Sequence, residues 1–204
     1  MRNSSSNPSL TDCIFIDNYA GWSGGLGNYY SSPILTNCNF TANSADGDGG
    51  AMNNYESNPV LTNCIFSGNS ASRGGGAFNE RNSRSTLTNC TFSENSAIIS
   101  GGGIYLENPP YPPPPSPPPH IPASEFPLLP TTGSLTPDVD LIIVNCILWD
   151  NEAPDGPQIY LTPYSYVRVN YSDVQGGWPG FGNIDEDPCF VDSANGDYHL
   201  LPDS

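Results

Sequence analysis

Three observations predict an all-β solenoid, a parallel β-helix of about 25-residue coils. A motif with Phe or Leu at its first place and Asn at its fourth occurs five times, as Phe15–Asn18, Phe40–Asn43, Phe66–Asn69, Phe92–Asn95 and Leu148–Asn151. A cysteine stands two residues before each, at Cys13, Cys38, Cys64, Cys90 and Cys146, and the first four are spaced by 25, 26 and 26 residues. No segment carries a sustained apolar period of 3.6, which nearly excludes helices. A leucine-rich repeat is disfavoured as well, because each unit keeps only one or two apolar positions where that repeat needs several.

Each coil reads in the same order. An apolar lead-in such as Pro59-Val60-Leu61-Thr62 is followed by Asn37, Asn63, Asn89 or Asn145 (Asp12 in the first copy), then by the cysteine and the Phe-to-Asn motif. Small residues then run into a glycine cluster at Gly24-Gly25, Gly49-Gly50, Gly74-Gly75-Gly76 or Gly101-Gly102-Gly103, and a second short run follows, such as Ala77-Phe78-Asn79-Glu80. In register, parallel strands about 4.8 Å apart turn each repeat position into a ladder of like residues. Stacked Asn side chains hydrogen-bond between coils and suit the left-handed backbone of sharp bends. Strand alternation predicts Leu35, Leu61 and Leu87 inward with the Cys and Phe columns, and Thr36, Thr62 and Thr88 outward. After the glycines it predicts Ala51, Ala77 and Ile104 inward with Asn53 and Asn79, and Met52, Phe78 and Tyr105 outward.

The 204 residues suit one domain of eight coils or fewer, and six to eight coils span roughly 30 to 40 Å. We divide it into β-helix repeats over 1–106, a proline-rich insertion over 107–138, and the last coils with a closing segment over 139–204. The insertion contains Pro109-Pro110-Tyr111 through Pro117-Pro118-Pro119, a run that cannot pair in a sheet and prefers polyproline II. It is expected to bulge from a corner of a coil that resumes at Leu141, either as a tolerated loop or as a ligand for a proline-binding domain. The stretch from Gly182 to Leu200 departs from the repeat and is expected to close the stack.

Five Arg and no Lys against 21 acidic residues give a net charge of −16. Such a surface repels nucleic acid and anionic membrane. Six cysteines invite a disulfide framework, but stacked side chains run parallel, with Cβ atoms farther apart than the preferred ~3.8 Å. Free thiols filling a core column are therefore expected. Zinc is disfavoured because no CxxC occurs and His120 and His199 are the only histidines. No apolar run reaches transmembrane length and the start is not a secretion signal. Because the chain enters a coil almost at once, we expect it to be part of a longer protein whose signal and anchor lie elsewhere.

The tandem Phe-to-Asn motifs alternating with glycine motifs, of which Gly49-Gly50-Ala51-Met52 is the nearest match to GGA[ILV], resemble the repeat of the polymorphic outer-membrane proteins. That resemblance covers Leu10 to Tyr105, and more weakly Leu141 to Asn151. It implies a right-handed parallel β-helix in an extracellular or outer-membrane display and adhesion protein of bacteria, with a polysaccharide or neighbouring surface as partner and no catalytic residues to carry over. The stretch from Ser172 to Leu200 is similar to the ends of large secreted bacterial β-helix proteins.

Candidate site residues follow from the outward columns. Met52, Phe78 and Tyr105, flanked by Tyr29, Tyr30 and Tyr55, form a stripe that suits stacking on sugar rings. A carbohydrate-active enzyme is the competing reading, since such helices also host lyases and glycosidases. Glu80 and Glu107 both fall four residues after the last glycine of their clusters and should stack about 5 Å apart, the spacing of an acid and nucleophile pair. A lyase would draw its base from Arg73, Arg81, Arg84 or Arg168. No cofactor is required, although Asp46 and Asp48 loosely resemble a calcium loop. Asp185, Asp187, Asp192 and Asp197 form a comparable acidic group.

Overall fold

The computed structural model describes residues 1–108 and 139–202. Six coils stack into a parallel β-solenoid; each passes through three sheets in the same order, and the first four add a strand of a fourth. Sheet A holds Arg2–Ser4, Leu26–Tyr29, Met52–Tyr55, Ala77–Glu80, Ile104–Glu107 and Ile159–Leu161. Sheet B holds Ser9–Thr11, Ile34–Thr36, Val60–Thr62, Ser85–Thr88, Leu141–Val144 and Val167–Asn170. Sheet C runs from Ile14–Ile16 through Asn39–Thr41, Ile65–Ser67, Thr91–Ser93 and Ile147–Trp149 to Asp173–Val174. Tyr19–Ala20, Ser44–Ala45, Ser70–Arg73 and Ser96–Ser100 form the shorter sheet D, which leads through the glycines back to sheet A.

The interior is built from columns. Leu35, Leu61 and Leu87 pair in register on sheet B and are buried. On sheet C, Phe15, Phe40, Phe66 and Phe92 stack face to face with centroids 4.4–4.7 Å apart, a geometry imposed by strand spacing rather than by ring preference. Cys38, Cys64, Cys90 and Cys146 are buried free thiols at the corner between sheets B and C. The Cys90 thiol, hydrogen-bonded to Cys146, is pushed up to about 12, which keeps it protonated at neutral pH.

Asparagine occupies two distinct corner ladders. Asn37, Asn63, Asn89 and Asn145 take left-handed φ of 53–54°, lie outside, and pass one amide hydrogen bond between coils, as from Asn63 Nδ2 to Asn37 Oδ1 at 3.2 Å. The Asn that ends each Phe motif is different. Asn43, Asn69, Asn95 and Asn151 are buried, and the residue before each (Ala42, Gly68, Glu94, Asp150) takes the left-handed turn in its place. Asn69 donates to Phe40 O at 2.8 Å and to Asn95 Oδ1 at 2.8 Å, while its own Oδ1 accepts the Asn43 N–H at 2.9 Å and Asn43 Nδ2 at 3.0 Å. A third ladder, Asn3 to Asn28 to Asn54 to Asn79, runs inside sheet A with each step at 2.8 Å.

The expected register after the glycines is off by one in the third coil. Ala77 pairs with Met52, not Ala51. Met52 therefore points inward, buried between Leu26 and Ala77, and Asn53 faces outward while Asn54 joins the inner ladder. The first glycine of the later clusters sets the register, with Ala51 in the place of a third glycine, and in the second coil Ser23 holds the place of that first glycine.

The insertion leaves sheet A after Asn108 and the coil resumes at Val139, on the way to sheet B. Asn108 N–H donates to Thr162 Oγ1 and Ser165 Oγ at 3.3 and 3.2 Å, and Asp140 Oδ2 accepts the Tyr166 N–H at 2.8 Å. The polyproline II expectation for 109–119 lies outside the described residues. The closing segment does more than end the stack. Tyr171 and Val174 N–H donate to Phe181 O and Ile184 O, and Trp178 packs on the core. A hairpin of Phe190–Asp192 and Asp197–Leu200 then folds back and leaves Tyr198 half-buried near Ser67 and Ser93 of the third and fourth coils; burial pushes its hydroxyl above the ordinary value and the two serines oppose that shift.

Candidate functional site

The outer face of sheet A collects nearly all the candidate residues, and the turn from sheet D builds one wall over it. Gly49, Gly74, Gly101 and Gly156 adopt φ of +74, +63, +70 and +53. A Cβ on them would come within 2.8–2.9 Å of the Cβ atoms of Asn53, Phe78, Tyr105 and Tyr160, the outward column beneath. The second coil inverts the arrangement. Ser23 takes the left-handed place with φ +58, and the residue beneath it is Gly27, whose missing side chain leaves room.

The residue before each of these turns hangs over the column as Asp48, Arg73, Ser100 and Asp155, paired from coil to coil. Arg73 is the centre of the site. Its Nε and Nη2 donate to Asp48 Oδ1 and Oδ2 at 2.9 and 2.7 Å, and its Nη1 to Glu107 Oε2 at 3.1 Å. Its guanidinium lies 5.1 and 5.2 Å from the ring centroids of Phe78 and Tyr105, a cation–π contact that seals the rings.

Phe78 and Tyr105 do face outward, but they are covered, at 1 % and 5 % exposure. They also stack on each other and on Tyr160, with centroids 4.9 and 5.0 Å apart, so their faces are spent. Met52 is no part of the face. The expected open aromatic stripe is thus corrected at three of its members, and the same in-register stacking that aligns the rings is what closes them.

Farther along the strands a second outward column runs Ser4, Tyr29, Tyr55, Glu80 and Glu107, one residue per coil. The counterpart of Glu80 in the third coil is Tyr55, because the register counts from the first glycine of the cluster rather than the last. Tyr29 and Tyr55 are half-buried and stacked at 6.0 Å, with Arg2 over the first ring at 4.4 Å and Arg81 over the second at 5.4 Å. Tyr30 packs edge-on against Tyr55 at 5.5 Å. What these two tyrosines offer to solvent is ring edges rather than open faces.

Glu80 and Glu107 are neighbours in register, as the glycine count predicts. Burial, then the charges of Glu107 and Asp48, hold the Glu80 carboxyl above its ordinary value of 4.5. Asp48 holds the Arg73 guanidinium still further above its usual range. Asp46 accepts the Tyr19 hydroxyl at 2.6 Å, so Asp46 and Asp48 are engaged in different directions. No group of three or more His, Cys, Asp or Glu able to hold a metal ion occurs among the described residues. Two buried side-chain atoms on this side of the helix have no partner among the described residues, Ser23 Oγ and Asn53 Oδ1.

The family model for the right handed beta helix region matches residues 1–109. The chain belongs to the right-handed β-helix family. The match covers the first four coils and the sheet A strand of the fifth, and the parallel pairing of sheets A, B and C continues through the sixth. No curated protein and no solved structure matches the chain. No helix among the described residues of this β-helix is long and apolar enough to cross a membrane.

Sequence reasoning turned Asn53 inward, did not single out Ser23, and treated Arg73 only as a possible base. A signal was present. Asp48 and Arg73 each stand immediately before the first glycine of a cluster, which puts opposite charges in one repeat place one coil apart. Chemically the face offers a sealed aromatic floor, a neutralised Arg73, and a rim of tyrosine edges and carboxylates.

Proposed function

We propose that this β-helix is a non-enzymatic, externally displayed module that binds glycans, and that the binding surface is the rim column Tyr29, Tyr55, Glu80 and Glu107 rather than the aromatic floor. The observation that carries this reading is the column itself: four polar or amphipathic side chains in line, one per coil, beside a floor closed by Arg73. A polysaccharide laid along the axis meets an equivalent group at every coil step of about 4.8 Å. The net charge of −16 suits external display, where it favours solubility. The test is a glycan screen run with and without calcium, followed by assay of the bound glycan for new reducing or unsaturated ends. Binding without cleavage is expected.

One observation favours a second reading. The raised Glu80 carboxyl beside Glu107 is the environment of a glycosidase acid and nucleophile pair. New reducing ends that vanish in Glu80→Gln would establish it. The lyase reading is weaker, because Arg73, tied to Asp48 and Glu107, is poorly placed to give up a proton.

A further inference from the structure

We infer that this face selects neutral, hydroxyl-rich glycans against uronate-bearing or sulfated ones; the inference rests on the glycan-binding reading above and adds its specificity. The argument starts from hydrogen-bonding capacity that the protein leaves unmet. Asn53 Oδ1, an acceptor without a partner among the described residues, belongs to the covered floor two positions before Tyr55 and is out of reach of a glycan, so the open acceptors are the rim carboxylates. The Glu80 carboxylate accepts no hydrogen bond among the described residues, and Glu107 spends one oxygen on Arg73. A carboxylate is acceptor-only when ionised, so this unmet capacity calls for donors. Sugar hydroxyls supply donors; an ionised carboxylate or sulfate supplies none.

The charges around the column point the same way. Arg73 is held by Asp48 and Glu107, Arg2 lies on the Tyr29 ring, Arg81 lies on the Tyr55 ring, and Arg84 is likewise engaged. Asp48 and Glu107 are spent at least in part on Arg73, Glu80 and the exposed Glu56 stand against the ring-stacked Arg2 and Arg81, and the whole chain adds a field of −16. An anionic glycan running along the axis would bring its charges against Glu80 and Glu107 in turn, where like charges in a partly desolvated setting repel. Hydroxyls meeting the same two carboxylates form charge-assisted hydrogen bonds, roughly twice as strong as neutral ones.

The experiment is an array of neutral, uronate-bearing and sulfated glycans probed with the full chain at about 0.15 M salt, a Debye length of ~8 Å. The best neutral binder is then titrated against wild type and the double variant Glu80→Gln, Glu107→Gln. Binding confined to neutral glycans, weakened about tenfold in the double variant, which is 1.4 kcal/mol, is the expected result. Thermal unfolding of the variant checks that it folds. Preference for uronate or sulfated glycans overturns the specificity while leaving the glycan-binding reading standing. Neutral binding unaltered in a folded double variant also overturns it, because the carboxylates would then take no part. Absence of binding to every class overturns the glycan-binding reading and this inference together.

Discussion

Replacing Asn69 by Ala should cost more than replacing Asn63 by Ala, although both asparagines sit in amide ladders of the same coil. Asn69 makes four buried hydrogen bonds of 2.8–3.0 Å, to Phe40 O, Asn95 Oδ1, Asn43 N and Asn43 Nδ2. Asn43 Nδ2 keeps a second partner in Phe15 O, and Asn95 Oδ1 keeps the Asn69 N–H. The Asn43 N–H loses the bond it makes to this side chain, while the Phe40 carbonyl loses one bond and keeps its sheet C ladder bond. At about 1–3 kcal/mol for the buried group deprived of its partner and about 1 kcal/mol for the other bond, the loss is about 3 kcal/mol. Asn63 lies outside with its ladder bonds at 3.2 and 3.1 Å to Asn37 and Asn89, where water replaces them. Its φ of +54° costs alanine about 1–2 kcal/mol. Urea unfolding followed by far-UV circular dichroism gives both values from the midpoint and slope. Equal destabilisation by the two variants would refute the assignment of inner and outer ladders to different energetic roles.

Further predictions rest on other parts of the stack. Gly74→Ala should lower stability by about 2 kcal/mol, because φ is +63 and the added Cβ falls 2.9 Å from that of Phe78, whereas Ser23→Gly should be nearly neutral; thermal melts of both decide it. Arg73→Ala should expose Phe78 and Tyr105, read as increased binding of a hydrophobic dye without loss of circular dichroism. Glu80 carries a raised carboxyl, so the folded state holds its proton more tightly than the unfolded chain. Its contribution to stability is full below about 4.5 and is lost as pH rises through the raised value. The urea midpoint of wild type relative to Glu80→Gln should therefore fall between pH 4 and 7, and an unchanged difference would contradict the burial of Glu80. With a thiol reagent, exposed Cys189 should react first, half-buried Cys13 more slowly, and the four buried cysteines only on unfolding.

The columns of the interior were legible because each depends on one residue type recurring at one spacing: Leu35 with Leu61 and Leu87, Phe40 with Phe66 and Phe92. Glu80 and Glu107 were legible for the same reason, since both follow clusters of three glycines. Met52 was not, because its cluster has two glycines with Ala51 in the third place, and a count from the last glycine shifts the strand by one and turns it over. The burial of Phe78 and Tyr105 was hidden for a different reason. Alternation tells which side of a sheet a residue faces, but nothing in it reveals that a neighbouring turn bends Arg73 over that side. The fold-back of the Tyr198 hairpin onto Ser67 and Ser93 likewise depends on contacts between parts of the chain that share no period.

The corner between sheets A and B has a consequence for how such a chain accepts new sequence. Asn108 and Asp140 are both pinned to the next coil, through Thr162, Ser165 and Tyr166, and Ser85–Thr88 pairs with Leu141–Val144 in the same register that joins uninterrupted coils. The two ends of the break are thus both tied to the scaffold. A segment of different length or chemistry spliced between 108 and 139 should leave the six coils in place, which makes this corner a natural socket for grafting a peptide or a small domain onto a rigid rod.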